Sequence, residues 1–183
     1  MNNPDLALVG AGYWGKNLAR NFLGLNVLHT LCDSNPQTLA SYGDEYVDVR
    51  REASFDVVLA NPEISKVAIA APAVCHFELA RNALLAGKDV YVEKPLCLNP
   101  DDAKVLIEIA EEQGQVLMVG HLLQYHAYVE KLNDMVRAGE LGKLYYVTSN
   151  RLNLGKIRQG EESVWSFAPR DISVILSLAG ELP

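Results

Sequence analysis

The chain has 183 residues, 49% of them hydrophobic and 21% charged, with a formal net charge of −7. That acidity argues against nucleic acid or an anionic membrane surface as a general partner, and no run of 18 apolar residues exists to span a bilayer. Cys32, Cys75 and Cys97 form no C-x-x-C pair, and the opening MNNPD lacks the basic and apolar regions of a secretion signal, so a reduced, cytoplasmic protein without disulfides is expected.

Leu6 to Val9 is a short apolar run that predicts a strand. It leads into Gly10-Ala11-Gly12-Tyr13-Trp14-Gly15, a tight turn that opens a helix near Trp14. In such a turn Gly10 takes a positive φ, Gly12 lets a pyrophosphate approach the backbone, and Gly15 lets the helix pack closely on the strand. The helix start offers unpaired N–H groups and the positive end of its dipole to phosphate. Val27 to Cys32 reads as the second strand. Asp33 follows, 18 residues after Gly15, where a dinucleotide fold places an acid against the adenosine ribose hydroxyls. Ser34 belongs to the same expected contact. A carboxylate there repels a 2′-phosphate, so NAD is expected in preference to NADP. The plainer alternative for Asp33 is a loop acid near a helix start.

Asn35 and Pro36 predict a capped helix over 36–42. A weak strand is expected at Tyr46–Val47 and a short helix over 52–60. Lys66 to Ala71 is an apolar run of the kind a parallel strand covered on both faces requires, and Pro72 stops it. A helix from Val74 to about Ala86 ends at Gly87, and Asp89 to Val92 is the next strand, running into Glu93-Lys94-Pro95. Asn99-Pro100-Asp101-Asp102 starts a helix that Gly114 ends, and Val116 to Val119 forms a further strand before Gly120-His121. This alternation predicts an α/β fold, a Rossmann doubly wound parallel sheet.

From Tyr125 the pattern changes. Tyr128, Leu132, Met135 and Val136 form a helical stripe ended by Gly139. Lys143 to Asn153 is a longer β-type run, residues 154–163 read as a loop, and Asp171 to Ala179 as an apolar helix. A dinucleotide-binding domain is expected over 1–121 and the start of an α+β substrate and oligomerisation domain over 122–183. One helix and one strand do not close a core, so the second region reads as incomplete without further chain or a partner.

Taken in order, the glycine turn, Ala71-Pro72 with His76, Glu93-Lys94-Pro95, Gly120-His121 and the last helix resemble the Gfo/Idh/MocA family of NAD(P)-dependent oxidoreductases. The resemblance covers essentially the whole chain, and Glu93-Lys94-Pro95 is its most specific mark. GELGKLYYVTSNRLNLGKIR with the following WSFAPRDIS is similar to a narrower branch. That branch oxidises the 3-hydroxyl of UDP-N-acetylglucosaminuronic acid or related UDP-sugars for bacterial surface polysaccharides. The resemblance implies NAD as cofactor, a UDP-sugar as small-molecule substrate, and assembly as a homo-oligomer. No metal is expected.

Oxidising a secondary alcohol needs a nicotinamide near the carbinol carbon, a base for the hydroxyl proton, and positive charge for the developing alkoxide. Lys94, at the end of a strand, is the expected catalytic residue and a substrate and cofactor contact. Its plain alternative is an exposed loop lysine. Ala71 and Pro72 are expected under the nicotinamide ribose. Glu93 orients Lys94 or caps a turn. Tyr13 and Trp14 shield the pyrophosphate or pack the first helix. His76 is expected on the cofactor side, with a structural role favoured. His121 faces substrate or fills a core position. Arg151, Asn153, Lys156 and Arg158 form a basic cluster suited to a diphosphate and a carboxylate, or a solvated face. The resemblance implies a histidine where Arg170 stands, before Asp171. Arginine stays protonated and cannot act as a base. Either Lys94 manages the proton with water, activity is reduced, or Arg170 binds an anion. Three functional readings stay open: a UDP-sugar 3-dehydrogenase, a dehydrogenase of a free sugar, inositol or other polyol, and a truncated chain that binds NAD without turnover.

Overall fold

Six short strands form one parallel sheet: β1 (Leu6–Val9), β2 (Leu28–Cys32), β3 (Arg50–Glu52), β4 (Lys66–Ile69), β5 (Asp89–Val92) and β6 (Leu117–Val119). The computed structural model describes residues 3–150 and 163–180. Strand order is β3-β2-β1-β4-β5-β6. Between successive strands run α1 (Gly15–Gly24), α2 (Pro36–Ala40), α3 (Phe55–Ala60), α4 (His76–Leu85) and α5 (Pro100–Gln113). Parallel pairing requires such crossovers. The order reverses between β1 and β4, and ligands of doubly wound sheets bind at the carboxyl ends of the strands beside that reversal. The α/β fold expected from the alternating pattern is the one observed.

The central strands β1 and β4 are covered on both faces, which explains their near-continuous apolar sequences. Side chains alternate along β1. Ala7 and Val9 join a core with Val58 of α3, Ala80 and Leu84 of α4, and Leu106 of α5. Leu6 and Leu8 join a second core with Leu18 and Ala19 of α1 and with Leu39, Tyr42 and Tyr46. Each fully buried aliphatic side chain contributes roughly 1.5–3 kcal/mol. The caps read from the sequence are in place: the Asn35 side chain accepts from the Gln37 N–H at 3.0 Å, and that of Asn99 from the Asp101 N–H at 3.1 Å.

Three expectations are corrected. Tyr46 is not in a strand. It closes a 3-10 turn over Asp44–Tyr46, because its ring is buried edge-on against Tyr42 while Val47 stays exposed. The real third strand, Arg50–Glu52, is charged; it pairs with β2 through its backbone alone and lies at the sheet edge. Residues 143–150 form no strand: among the described residues no ladder partner meets them, and Tyr145 and Tyr146 are exposed.

The chain divides into two compact units, Met1–Gly120 and His121–Pro183. The second holds α6 (Ala127–Arg137) and α7 (Ser163–Ala179). α7 begins earlier than the apolar stretch from Asp171 suggests and runs through Pro169. The Gln124 side-chain amide donates to the Ser173 carbonyl at 2.6 Å and ties a 3-10 turn to α7. Among the described residues no helix is long and apolar enough to cross a membrane.

Two buried polar side chains hold opposite ends of the sheet. At the amino-terminal end of the strands, Lys88 is 7% exposed and its ammonium donates to the carbonyls of Asn61 at 2.9 Å and Ile64 at 2.5 Å. Burial lowers its pKa. Lys88→Met leaves the buried Ile64 carbonyl without its donor and is expected to cost about 2 kcal/mol in urea unfolding. At the other end, the buried Tyr42 hydroxyl donates to the Ala11 carbonyl at 2.8 Å. Burial, then the neighbouring Tyr46 and Asp33, push this hydroxyl from 10.0 up to about 12. A pKa raised on folding stabilises fully below the unfolded value of 10.0 and ceases to as pH rises through about 12. Tyr42→Phe is therefore expected to lose about 1 kcal/mol at neutral pH. It should also flatten the alkaline fall in stability between about pH 10 and about pH 12, measured by urea titrations across that range.

Candidate active site

The residues that leave the strands at their carboxyl ends are held by one further ladder bond each. The Asp33 N–H donates to the Glu52 carbonyl at 3.1 Å, Gly10 to Cys32 at 2.9 Å, Ala70 to Val9 at 2.8 Å, Glu93 to Ile69 at 2.9 Å and Gly120 to Val92 at 2.8 Å. The sheet thus brings the glycine turn, Asp33, Ala70-Ala71 and Glu93-Lys94 to one edge.

In the glycine turn the three glycines answer different demands. Gly10 has φ +87°, and a Cβ there would lie 2.4 Å from the Ala71 nitrogen. A Cβ on Gly15 would lie 2.1 Å from the Gly10 oxygen. These two are fixed by backbone approach. At Gly12 nothing lies within 4 Å of the Cβ position. Trp14 gives α1 no side-chain cap, and among the described residues nothing accepts from the N–H groups of Gly12 and Tyr13. An open cavity of about 530 Å³ lies alongside, lined by Gly12, Tyr13, Lys16, Asn17, Thr38 and Ser41. Unspent donors at a helix start, a nearby lysine and space over Gly12 suit a pyrophosphate. Tyr13 is 88% exposed, so it does not pack α1.

Asp33 is locked to this turn. Its Oδ2 accepts from the Ala11 N–H and its Oδ1 from the Asn35 N–H, both at 2.9 Å. Each oxygen keeps capacity for a further donor such as a ribose hydroxyl. Ser34, beside it, is exposed.

At the end of β5, Glu93 is buried and Lys94 is half-buried. Glu93 Oε1 accepts from the Trp14 indole N–H at 2.7 Å and from the Tyr91 hydroxyl at 2.9 Å, and Oε2 from the Lys94 N–H at 3.3 Å. Tyr91 and Gly120 were not among the expected site residues. Two-residue alternation along β5 puts Tyr91 on the face of Glu93, a signal that was available. A Cβ on Gly120 would lie 2.4 Å from the Tyr91 hydroxyl, so only glycine leaves room for this group.

His76 is placed differently from a cofactor contact. It is 1% exposed, with Nδ1 2.7 Å from the Pro95 carbonyl oxygen and Nε2 2.8 Å from that of Ala71. Both ring nitrogens face protein carbonyls, a neutral ring donating to one of the two, so the ring sits between the end of β4 and the segment after Lys94. Ala71 is half-buried and Pro72 exposed at that edge.

In the second unit, His121 precedes the 3-10 turn Leu122–Tyr125, and Arg170 and Asp171 are half-buried on α7. The Ser173 hydroxyl donates to the Arg170 carbonyl at 2.8 Å. Arg151, Asn153, Lys156 and Arg158 lie outside the described residues.

The chain is similar to several known proteins. A 2,7-anhydro-N-acetylneuraminate hydratase of Mediterraneibacter gnavus is 29% identical over 154 residues, covering 82% of this chain and 40% of its own. The UDP-N-acetylglucosamine 3-dehydrogenase of Acidithiobacillus ferrooxidans is 29% identical over 177 residues, covering 96% of this chain and 54% of its own. The chain thus spans about half the length of these curated relatives, or less. The crystal structure of GenD2 from gentamicin A biosynthesis, in complex with NAD, matches with a TM-score of 0.85 at 23% identity, covering 98% of this chain and 54% of that one, and so shares its fold. Residues 5–121, from the first strand to the histidine after the sixth, match the model of the oxidoreductase family with an NAD-binding Rossmann fold, and the chain belongs to that family, Gfo/Idh/MocA.

Proposed function

We propose that the protein is an NAD-dependent dehydrogenase that oxidises a sugar hydroxyl, at C3 of a UDP-N-acetylhexosamine or its uronic acid. The observation that carries the reading is one sheet edge. On it stand an open phosphate-sized turn at Gly12, a carboxylate fixed at Asp33 and a lysine at the end of β5. The sugar nucleotide is supported by the 29% identical 3-dehydrogenase over 96% of the chain. The equally identical hydratase marks this as a choice within sugar chemistry. Bacterial surface-polysaccharide synthesis in the cytoplasm, by a homo-oligomer, is the setting we propose for it.

Gly12 and the start of α1 hold the pyrophosphate through backbone N–H groups. Asp33 accepts from the adenosine ribose hydroxyls and repels a 2′-phosphate. Bound NAD would supply the hydride acceptor. Lys94, as its neutral amine, takes the proton of the reacting hydroxyl and becomes an ammonium whose charge offsets the developing alkoxide. His76 and Glu93 hold the backbone on either side of Lys94.

Two measurements test this. Asp33→Ser is expected to weaken NAD binding about tenfold and to narrow the preference over NADP, read by titration calorimetry with both cofactors. Lys94→Ala is expected to lower kcat at least about a hundredfold, with the NAD dissociation constant little changed. NADH production is followed across UDP-sugars, free sugars and inositols. Binding of NAD with no NADH formed from any of them sinks the dehydrogenase reading. Turnover confined to polyols replaces the substrate.

A further inference from the structure

We propose that Trp14 is a positioning residue for Lys94, acting through Glu93; the inference rests on the role of Lys94 given above. Glu93 is 7% exposed. A buried carboxylate is tolerated only when donors replace its water. Two of its three donors are local: the Tyr91 hydroxyl and the Lys94 N–H. The third is the Trp14 indole N–H, 79 residues away in sequence, and it makes the shortest of the three bonds at 2.7 Å.

That bond joins two parts of the site that the sheet leaves separate. Trp14 ends the glycine turn, immediately before Gly15 opens α1. Glu93 follows β5, and β4 lies between β5 and β1 in the sheet. The indole therefore reaches past the end of β4 and grips the carboxylate whose other oxygen takes the Lys94 N–H. Lys94 is fixed to the turn that receives the pyrophosphate, and the phosphate site and the reacting group hold one register. A phenylalanine could fill the same volume. The indole N–H is what aims at Glu93, and a buried polar tip with a charged partner is the part of tryptophan that packing alone does not require. The absence of a side chain at Gly120 belongs to the same device, since any Cβ there would displace the Tyr91 hydroxyl and lie 3.1 Å from Glu93 Oε1.

The test compares wild type with Trp14→Phe, Trp14→His, Glu93→Gln and the Trp14→Phe/Glu93→Gln double variant. Trp14→Phe is expected to lower kcat about tenfold while the KM for NAD stays within about twofold. Independently of any substrate, the pH midpoint for labelling of Lys94 by trinitrobenzenesulfonate, read by peptide mass spectrometry, should move by about half a unit. Trp14→His keeps a ring N–H and should recover most of both effects. In the double variant, Trp14→Phe should add little to Glu93→Gln, because the single amide oxygen of Gln cannot take both the Trp14 and the Lys94 N–H, so either change cuts the same link. Unchanged kcat and labelling, loss of NAD affinity alone, or additive effects overturn the inference. If Trp14→Phe does not fold, Tyr91→Phe removes a donor from the same oxygen and must move the labelling midpoint in the same direction. Absence of turnover in the wild type counts against the dehydrogenase reading, while the labelling curves still decide the role of Trp14.

Discussion

The site depends on the parallel ladder continuing one bond beyond the strands. Asp33, Gly10, Ala70, Glu93 and Gly120 each leave a strand at its carboxyl end, and each still donates to the neighbouring strand. A loop residue ordinarily gains its freedom at that point. Here the backbone carrying the chemistry is as fixed as the sheet itself, and only the side chains project beyond it. Placing reactive groups on rigid elements is what holds them in working geometry.

Side-chain bonds then tie those strand ends to one another. Asp33 grips the Ala11 N–H, and Tyr42 grips the Ala11 carbonyl, so both polar groups of one peptide residue in the turn are held. His76 spans Ala71 and Pro95. Trp14 spans to Glu93. Each is an ordinary bond of about 1–3 kcal/mol. Together they remove the independent motions of four segments, a gain in order that their stability contribution alone does not measure. Lys88 performs a similar task on the loop before β4, at the other end of the sheet.

Much of this was legible in the residues themselves. β1 and β4 are visible because both faces are buried and their residues are almost all apolar. β3 was hidden because Arg50 and Arg51 sit at a sheet edge, where backbone pairing needs no apolar side chain. The run from Lys143 misled for the opposite reason: β-type residues form a strand only beside a partner, and none is present among the described residues. Periodicity placed His76 at the start of α4 but could not say that its ring turns inward. Nor could it tell whether Trp14 shields, packs or bonds, because the answer lies 79 residues away at Glu93. Long-range polar pairing leaves no period in a single sequence, whereas caps such as Asn35 and Asn99 do, because their partners are two residues away.

The glycine turn shows how structure turns a pattern into an argument. Three glycines at fixed spacing are equally consistent with a tight βα turn and with a phosphate site. Gly10 and Gly15 are explained entirely by backbone contact, at 2.4 Å from Ala71 and 2.1 Å from Gly10 to a hypothetical Cβ. They would be needed in a turn that binds nothing. Gly12 is not explained that way: its Cβ position faces open space, so packing imposes no demand for glycine there. Its φ is not in the left-handed region either, so the backbone imposes none. What distinguishes Gly12 is the open approach to donors that no described protein group accepts from. The weight of the motif as a binding site rests on that one glycine, and the other two supply the frame that makes its emptiness informative.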